Sequence, residues 1–304
     1  MIYLRLVLVV LFAFWGFASN VHAQQQTLNI VYLENGLKDL NKVDKLVALN
    51  LLAKEFIKGS DSDISLVAVN SIEELIDSIK QGKVHYGILN SYYYLYYSEQ
   101  LKPFMGPDLW KIQRSFEEKE DYVLVVNKNI DYIDIKSLAG KRLSVHQDYL
   151  MMNFYLKYLI KKSANQPVEN FFKSIKNTKT ASQSVLDVFF NTSDVCIVPE
   201  HILNLVRELN PAINNGIKVV HHSGANFIPA LVLTFNYSSN AYADKVRSNL
   251  DTLTDTVRGQ EILNLFNIKD ITPANHDSLT YMFDMFNEYA LLETNHKYVH
   301  KTQN

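Results

Sequence analysis

The stretch Gly82-Lys83-Val84-His85-Tyr86-Gly87-Ile88-Leu89-Asn90-Ser91-Tyr92-Tyr93-Tyr94-Leu95-Tyr96-Tyr97-Ser98-Glu99-Gln100 decides the fold. Ahead of it, Ile72, Leu75, Ile76 and Ile79 fall at helical spacing with acids on the other side, and Gly82 ends that helix. Val84 to Leu89 is a short apolar run that predicts a buried strand. Asn90-Ser91 then favours a turn or a helix N-cap, and a tyrosine-rich helix begins. In an open α/β sheet, ligands sit at the carboxyl ends of strands, where free N–H groups and positive helix ends gather. The turn therefore reads as one wall of a ligand site. Asn90, Ser91 and Tyr92 are candidate contacts; a plain cap at a strand–helix junction is the structural alternative. Tyr93, Tyr94, Tyr96 and Tyr97 circle a helix, so at least two of them belong to core or surface.

Toward the N-terminus, Leu28 to Leu33 reads as the first strand, ended by Glu34-Asn35-Gly36. Leu46, Leu49, Leu52, Phe56 and Ile57 form a helical stripe closed by Gly59. Ile64 to Val69 is a second strand, and Ser71 caps the next helix. This β-α-β-α-β order predicts a parallel sheet with right-handed crossovers. Toward the C-terminus, a looser segment from Pro103 to Pro107 precedes an uninterrupted apolar strand, Tyr122 to Asn127. Ile135 to Val145 reads as a helical turn, a Gly140-Lys141 corner and a strand ending at His146. Helices follow at about Asp148 to Lys161 and Ser182 to Phe190. A strand from Asp194 to Val198 ends in Pro199-Glu200, a helix spans His201 to Leu209, and a strand spans Ile217 to His221. Ala230 to Phe235 is one more strand, and the remainder is helical. The expected fold is α/β and two-lobed, each lobe a mostly parallel sheet flanked by helices. Apolar strands near Tyr122 and Leu231 serve as crossovers. The expected divisions are 1–23 as a signal peptide, 24–127 as the first part of lobe one, 128–223 as lobe two, and 224–304 returning to lobe one.

The chain has 304 residues, 47 % apolar and 20 % charged, an ordinary globular balance. A formal net charge of −2 supplies no basic field for nucleic acid. Arg5, the apolar run Leu6 to Phe17 and Val21-His22-Ala23 form a signal-peptide pattern, so export and a mature start at Gln24 are expected. The alternative is an uncleaved anchor, for which the run is short. Cys196 is the single cysteine, which rules out an internal disulfide; its apolar neighbours predict a buried residue.

The assembled pattern resembles the periplasmic substrate-binding proteins of ABC transporters, in the phosphonate-binding branch. Four stretches carry the resemblance: Gly82 to Tyr92, Ser137 to Val145, Ser182 to Val198, and His221-His222-Ser223-Gly224 through Ile228-Pro229-Ala230. It implies a periplasmic, monomeric protein that closes over a small molecule between its lobes and docks on an ABC permease. No cofactor is implied. It also makes Tyr32, near the end of the first strand, an aromatic wall of the site. Three departures stand out. Phosphonate binders carry a small Ser/Thr/Gly cluster after the second-lobe strand, where this chain has His146-Gln147-Asp148-Tyr149. Asp148 would oppose a phosphonate there. No histidine stands at Ser182-Gln183-Ser184, and His85 replaces a common acid.

In the second lobe, His146 and Gln147 lie at the matching strand end as ligand candidates, while Asp148 reads as an N-cap. Ser182 and Gln183 open the next helix, as contacts or as its cap. Glu200 ends the last strand and suits an amine or a cation, or merely starts a helix. His221 and His222 are adjacent on a strand and point to opposite faces, and no zinc-like spacing surrounds them, so no metal site is expected. Neither a phosphate loop nor a nucleophile elbow nor a paired-carboxylate signature is present, so the chain does not read as an enzyme. The alternatives are a ligand adapter for a membrane sensor, an enzyme on the same fold, and a structural or adhesion protein. An oxyanion is the ligand the resemblance implies; a tyrosine wall with Asp148 or Glu200 suits an amine-bearing or aromatic solute.

Overall fold

A computed structural model describes residues 27–33, 42–59, 63–114, 119–224, 226–236 and 240–301. The signal-peptide pattern, its cleavage site and the Glu34-Asn35-Gly36 turn lie outside these residues. The chain begins with β1 (Thr27–Leu33), α1 (Lys42–Phe56), β2 (Asp63–Val69), α2 (Ile72–Lys80) and β3 (Tyr86–Asn90). Helix α2 shows how locally the sequence acts. The Ser71 hydroxyl accepts the Glu74 N–H, Ile72, Leu75, Ile76 and Ile79 are buried, and Gly82 turns the chain at φ +70°. Then come α3 (Ser91–Tyr96), α4 (Ser98–Leu101) and β4 (Met105–Arg114).

The second lobe holds β5 (Tyr122–Asn127), β6 (Arg142–Val145), α5 (Leu150–Ala164), α6 (Val168–Phe171), β7 (Ser174–Asn177) and α7 (Ala181–Phe189). It closes with β8 (Val195–Pro199), α8 (Glu200–Leu209) and β9 (Ile217–His222). The chain returns through β10 (Ala230–Phe235), α9 (Asn240–Asp251), α10 (Val257–Asn264), β11 (Ile268–Pro273) and α11 (His276–Lys301).

The strands form a six-stranded sheet, β11-β4-β10-β3-β1-β2, and a five-stranded sheet, β7-β6-β8-β5-β9. Both are mixed rather than mostly parallel. The pairs β1–β2, β1–β3, β6–β7 and β6–β8 are parallel, as β-α-β units require. Strands next to the crossings between lobes run antiparallel to their neighbours. Three strands, β4, β7 and β11, carry no strand pattern in the sequence. β4 carries Gly106-Pro107-Asp108 directly after its first residue, and β11 and β7 line sheet edges, so none is a continuous apolar run. The expected division at 127 places Tyr122 to Asn127 at the end of lobe one, but it is the fully buried β5, between β8 and β9 in the second sheet. An apolar run marks a buried strand without saying in which sheet it is buried.

The passages between the sheets run side by side. Glu120 N–H donates to the Phe227 carbonyl at 2.7 Å, and Phe227 N–H returns to Glu120 at 3.2 Å. One apolar core lies between the first sheet and α1, α9 and α10, with Ile30, Phe56, Trp110 and Leu250. Another, with Val123, Val185 and Leu203, lies in the second lobe. The largest is continuous through both lobes and joins Val31, Leu89, Leu124, Met152 and Phe227 to Met282 on α11. Helix α11 packs against both α3 and α5.

Candidate ligand site at the junction of the lobes

The turn after β3 is an N-cap. Asn90 Oδ1 accepts the Tyr92 N–H at 2.8 Å, and Ser91 N–H donates to the Pro229 carbonyl on the returning crossover at 3.2 Å. Ser91 is fully buried. Tyr92 leaves this cap half-buried and meets rings from three elements. Tyr96 stacks on it at 5.7 Å, and Phe154 of α5 and Phe286 of α11 each lie 5.8 Å away. Burial among them pushes its phenol up to about 12. Phe154 and Phe286 stack at 3.9 Å. Alongside, Tyr158 donates to Glu288 at 2.6 Å, Lys162 pairs with Glu288 at 2.9 Å, and buried Lys161 reaches Glu293 at 3.2 Å. The first-lobe turn and the second-lobe helix α5 thus meet, with α11 fastened across the joint.

At the carboxyl ends of β2 and β3 lies a cavity of about 410 Å³, lined by Ser71, Glu73, Tyr92, Tyr93, Tyr96 and Tyr97 among others. Positions 92, 93, 96 and 97 cover one continuous arc of a helix, so all four rings share this space. Only Tyr94 turns into the core, edge-on to Phe283. Tyr96 is 60 % exposed, so with buried Tyr94 two of the named tyrosines are core or surface, as expected. Glu73, one of the acids on the outer side of α2, accepts from the Tyr97 hydroxyl at 3.3 Å.

The other expected contacts divide. Tyr32 is 3 % exposed and shares its strand face with Leu28 and Ile30, under α1. Alternation along β1 turns it away from the joint, so it is a core residue rather than a wall. His146 stands at the end of β6, where its Nδ1–H donates to the Thr178 carbonyl at 2.8 Å and its Nε2 lies 3.6 Å from Asp148. Gln147 is exposed, its carbonyl held by Asn153. Asp148 does not cap α5; Tyr149 occupies that position without a side-chain bond. Helix α7 starts one residue before Ser182 and is capped by Thr180. Gln183 is spent on this cap: its N–H donates to Thr180 at 3.2 Å, and its Oε1 accepts Lys179 N–H at 3.2 Å. Ser182 is half-buried beside it.

Glu200 opens α8, its N–H donating to the Asp121 carbonyl at 2.9 Å. The histidines diverge as a strand dictates. His221 faces Tyr155, whose hydroxyl is 2.7 Å from its Nε2, while His222 Nδ1 lies 2.9 Å from Asp121 and 4.0 Å from Glu200. Asp121, Glu200 and His222 each bring one metal-capable atom within 4.8 Å of the others. The Ser223 hydroxyl donates to Asp121 at 2.8 Å, which makes this corner a polar latch between the two crossovers. Asp121 carried no local signal; only folding brings it to His222.

A family described as "ABC transporter, phosphonate, periplasmic substrate-binding protein" matches residues 45–279. The chain belongs to this family. Its members bind substrates for transporters and are not enzymes, and the periplasm is their compartment. No curated protein matches the chain. Among solved structures, XAC2383 from Xanthomonas citri bound to ATP is similar at 10 % identity and TM-score 0.68, over 89 % of this chain and 99 % of that one. PhnD1 from Prochlorococcus marinus in complex with methylphosphonate gives 14 % identity and TM-score 0.60, over 86 % and 98 %. A binding protein component of an ABC phosphonate transporter from Pseudomonas aeruginosa gives 14 % and 0.61, over 88 % of each chain. At such identities the likeness establishes the two-lobed fold of this phosphonate-family binding protein and leaves its ligand to its own residues. Among the described residues, no helix is long and apolar enough to cross a membrane.

Proposed function

We propose that the chain is an exported solute receptor that takes up one small molecule at the junction of its lobes and presents it to an ABC permease. The observation that carries this reading is the meeting of two walls at one joint. Asn90 to Tyr92 come from the first lobe and α5, which follows His146, from the second, with two hydrogen-bonded crossovers behind them. Bending at 119–121 and 226–229 moves one wall against the other. A ligand touching both walls favours the closed form by its differential affinity, and no bond is made or broken. Removal of residues 1–23, a periplasmic address and a monomeric mature protein complete the reading.

PhnD1 was solved with methylphosphonate, so phosphonates enter the first screen together with sulfonates, amino acids and amines. The test is a melting screen of the mature protein against these four classes. A true solute at 100-fold excess over its Kd adds about 2.7 kcal/mol to stability. A protein that binds none of them, and carries no small molecule through native purification, contradicts the proposal.

A further inference from the structure

The tyrosine-lined cavity differs in charge from what an oxyanion requires. Among the described residues that line it, Glu73 is the only acid or base, and none is Lys, Arg or His. Hydrogen bonds from backbone N–H and from Ser71 hold the Glu73 carboxyl below its usual range, so it is an anion at neutral pH. The nearby helix ends are closed to a second anion. At α2, Ser71 accepts the Glu74 N–H at 3.2 Å and Glu74 Oε2 accepts the Asn70 N–H at 2.9 Å. Glu73 and Glu74 also occupy its first turn and offset the positive end of its dipole. At α3, Asn90 takes the Tyr92 N–H and Pro229 takes that of Ser91.

Four phenol rings and a carboxylate around about 410 Å³ are the complement of a small organic cation. Tyr92 and Tyr96 lie 5.7 Å apart as a stacked pair, and Tyr97 stands edge-on to Tyr96 at 5.0 Å. Ring faces attract ammonium groups and repel oxyanions. We propose that the solute is a small cation bearing an ammonium group, held against Tyr93 and Tyr97 with Glu73 as its counter-ion. This rests on the solute-receptor reading above and names the ligand class for the first-lobe wall of that site.

The test is calorimetric titration of the mature protein with choline, tetramethylammonium, putrescine, the neutral choline isostere 3,3-dimethylbutan-1-ol, and methylphosphonate. The expected result is that at least one cation binds, that the neutral isostere binds at least tenfold more weakly than choline wherever choline binds, and that methylphosphonate does not bind. Glu73→Gln should weaken the bound cation at least tenfold while leaving the ligand-free melting temperature within about a degree, because the carboxylate is exposed. Tyr97→Phe separates ring from hydroxyl and should retain cation binding; Tyr97→Leu should lose most of it. Tight binding of methylphosphonate, unchanged or improved by Glu73→Gln, overturns the cation assignment and leaves the receptor reading standing. Equal binding of choline and its neutral isostere also overturns it. Binding of none of the five, with no small molecule carried through native purification, removes both proposals.

Discussion

Replacing Phe154 with Ala removes the ring that joins the lobes. Phe154 is 7 % exposed, stacked on Phe286 at 3.9 Å, edge-on to Tyr289 at 5.1 Å and tilted on Tyr92 at 5.8 Å. Core Phe→Ala changes cost about 3–5 kcal/mol. This ring borders a joint that can settle inward, so the lower end applies, about 3 kcal/mol. At roughly 2 °C per kcal/mol for a chain of this length, the melting temperature falls by about 6 °C. A double-mutant cycle with Phe286→Ala isolates the stack, and a coupling of about 1 kcal/mol is expected for a well-placed aromatic pair. Differential scanning calorimetry reads both quantities. Because the largest apolar core runs through both lobes, the wild type should melt in a single transition. Two resolved transitions in the wild type, or a loss below about 1 kcal/mol in Phe154→Ala with strictly additive double-mutant energies, would refute the shared core.

Tyr92→Ala should weaken solute binding and also cost about 2 kcal/mol of stability, since its ring is half-buried against four others; thermal melts with and without solute separate the two effects. His85 and His221 are both half-buried, and burial lowers the affinity of each ring for a proton below the usual 6.5. The fold therefore favours their neutral forms: this stabilisation is complete above about pH 6.5 and is lost as pH falls toward the depressed folded values. The melting temperature should drop between pH 7 and pH 5, and the double variant His85→Gln, His221→Gln should flatten that drop; a profile that rises on acidification contradicts the assignment. N-terminal sequencing of exported protein should begin at Gln24, and a start at Met1 would contradict cleavage.

Much of the architecture is legible where local signals agree. Val84 to Leu89 between Gly82 and Asn90 reads as a strand because apolar run, glycine and cap coincide, and the Ser71 and Asn90 caps form as expected. Strands β4 and β11 were missed because their partners, not their composition, make them strands: β4 pairs with β10 and β11 over much of its length. The local structure around Asn90 was legible, since its side chain caps the helix and Ser91 is buried beneath it; the placement of the other candidates was less so. Tyr32 failed because a position near a strand end does not fix which face the side chain takes. Ser182 and Gln183 failed because Thr180, two residues upstream, captures the cap. Glu73 reads as a solvated acid on an amphipathic helix, and it is exposed; what the sequence does not show is that the Tyr97 hydroxyl comes to donate to it. The Asp121–His222 latch joins two crossovers that are remote in sequence, so no local pattern could announce it.

Native mass spectrometry of the mature protein isolated from its own periplasm tests the central claim most directly. A solute receptor with its site at the lobe junction should carry one small molecule per chain, and Tyr92→Ala should arrive bare or nearly so. Bare wild-type protein, or a bound molecule whose occupancy is the same in Tyr92→Ala, would contradict it.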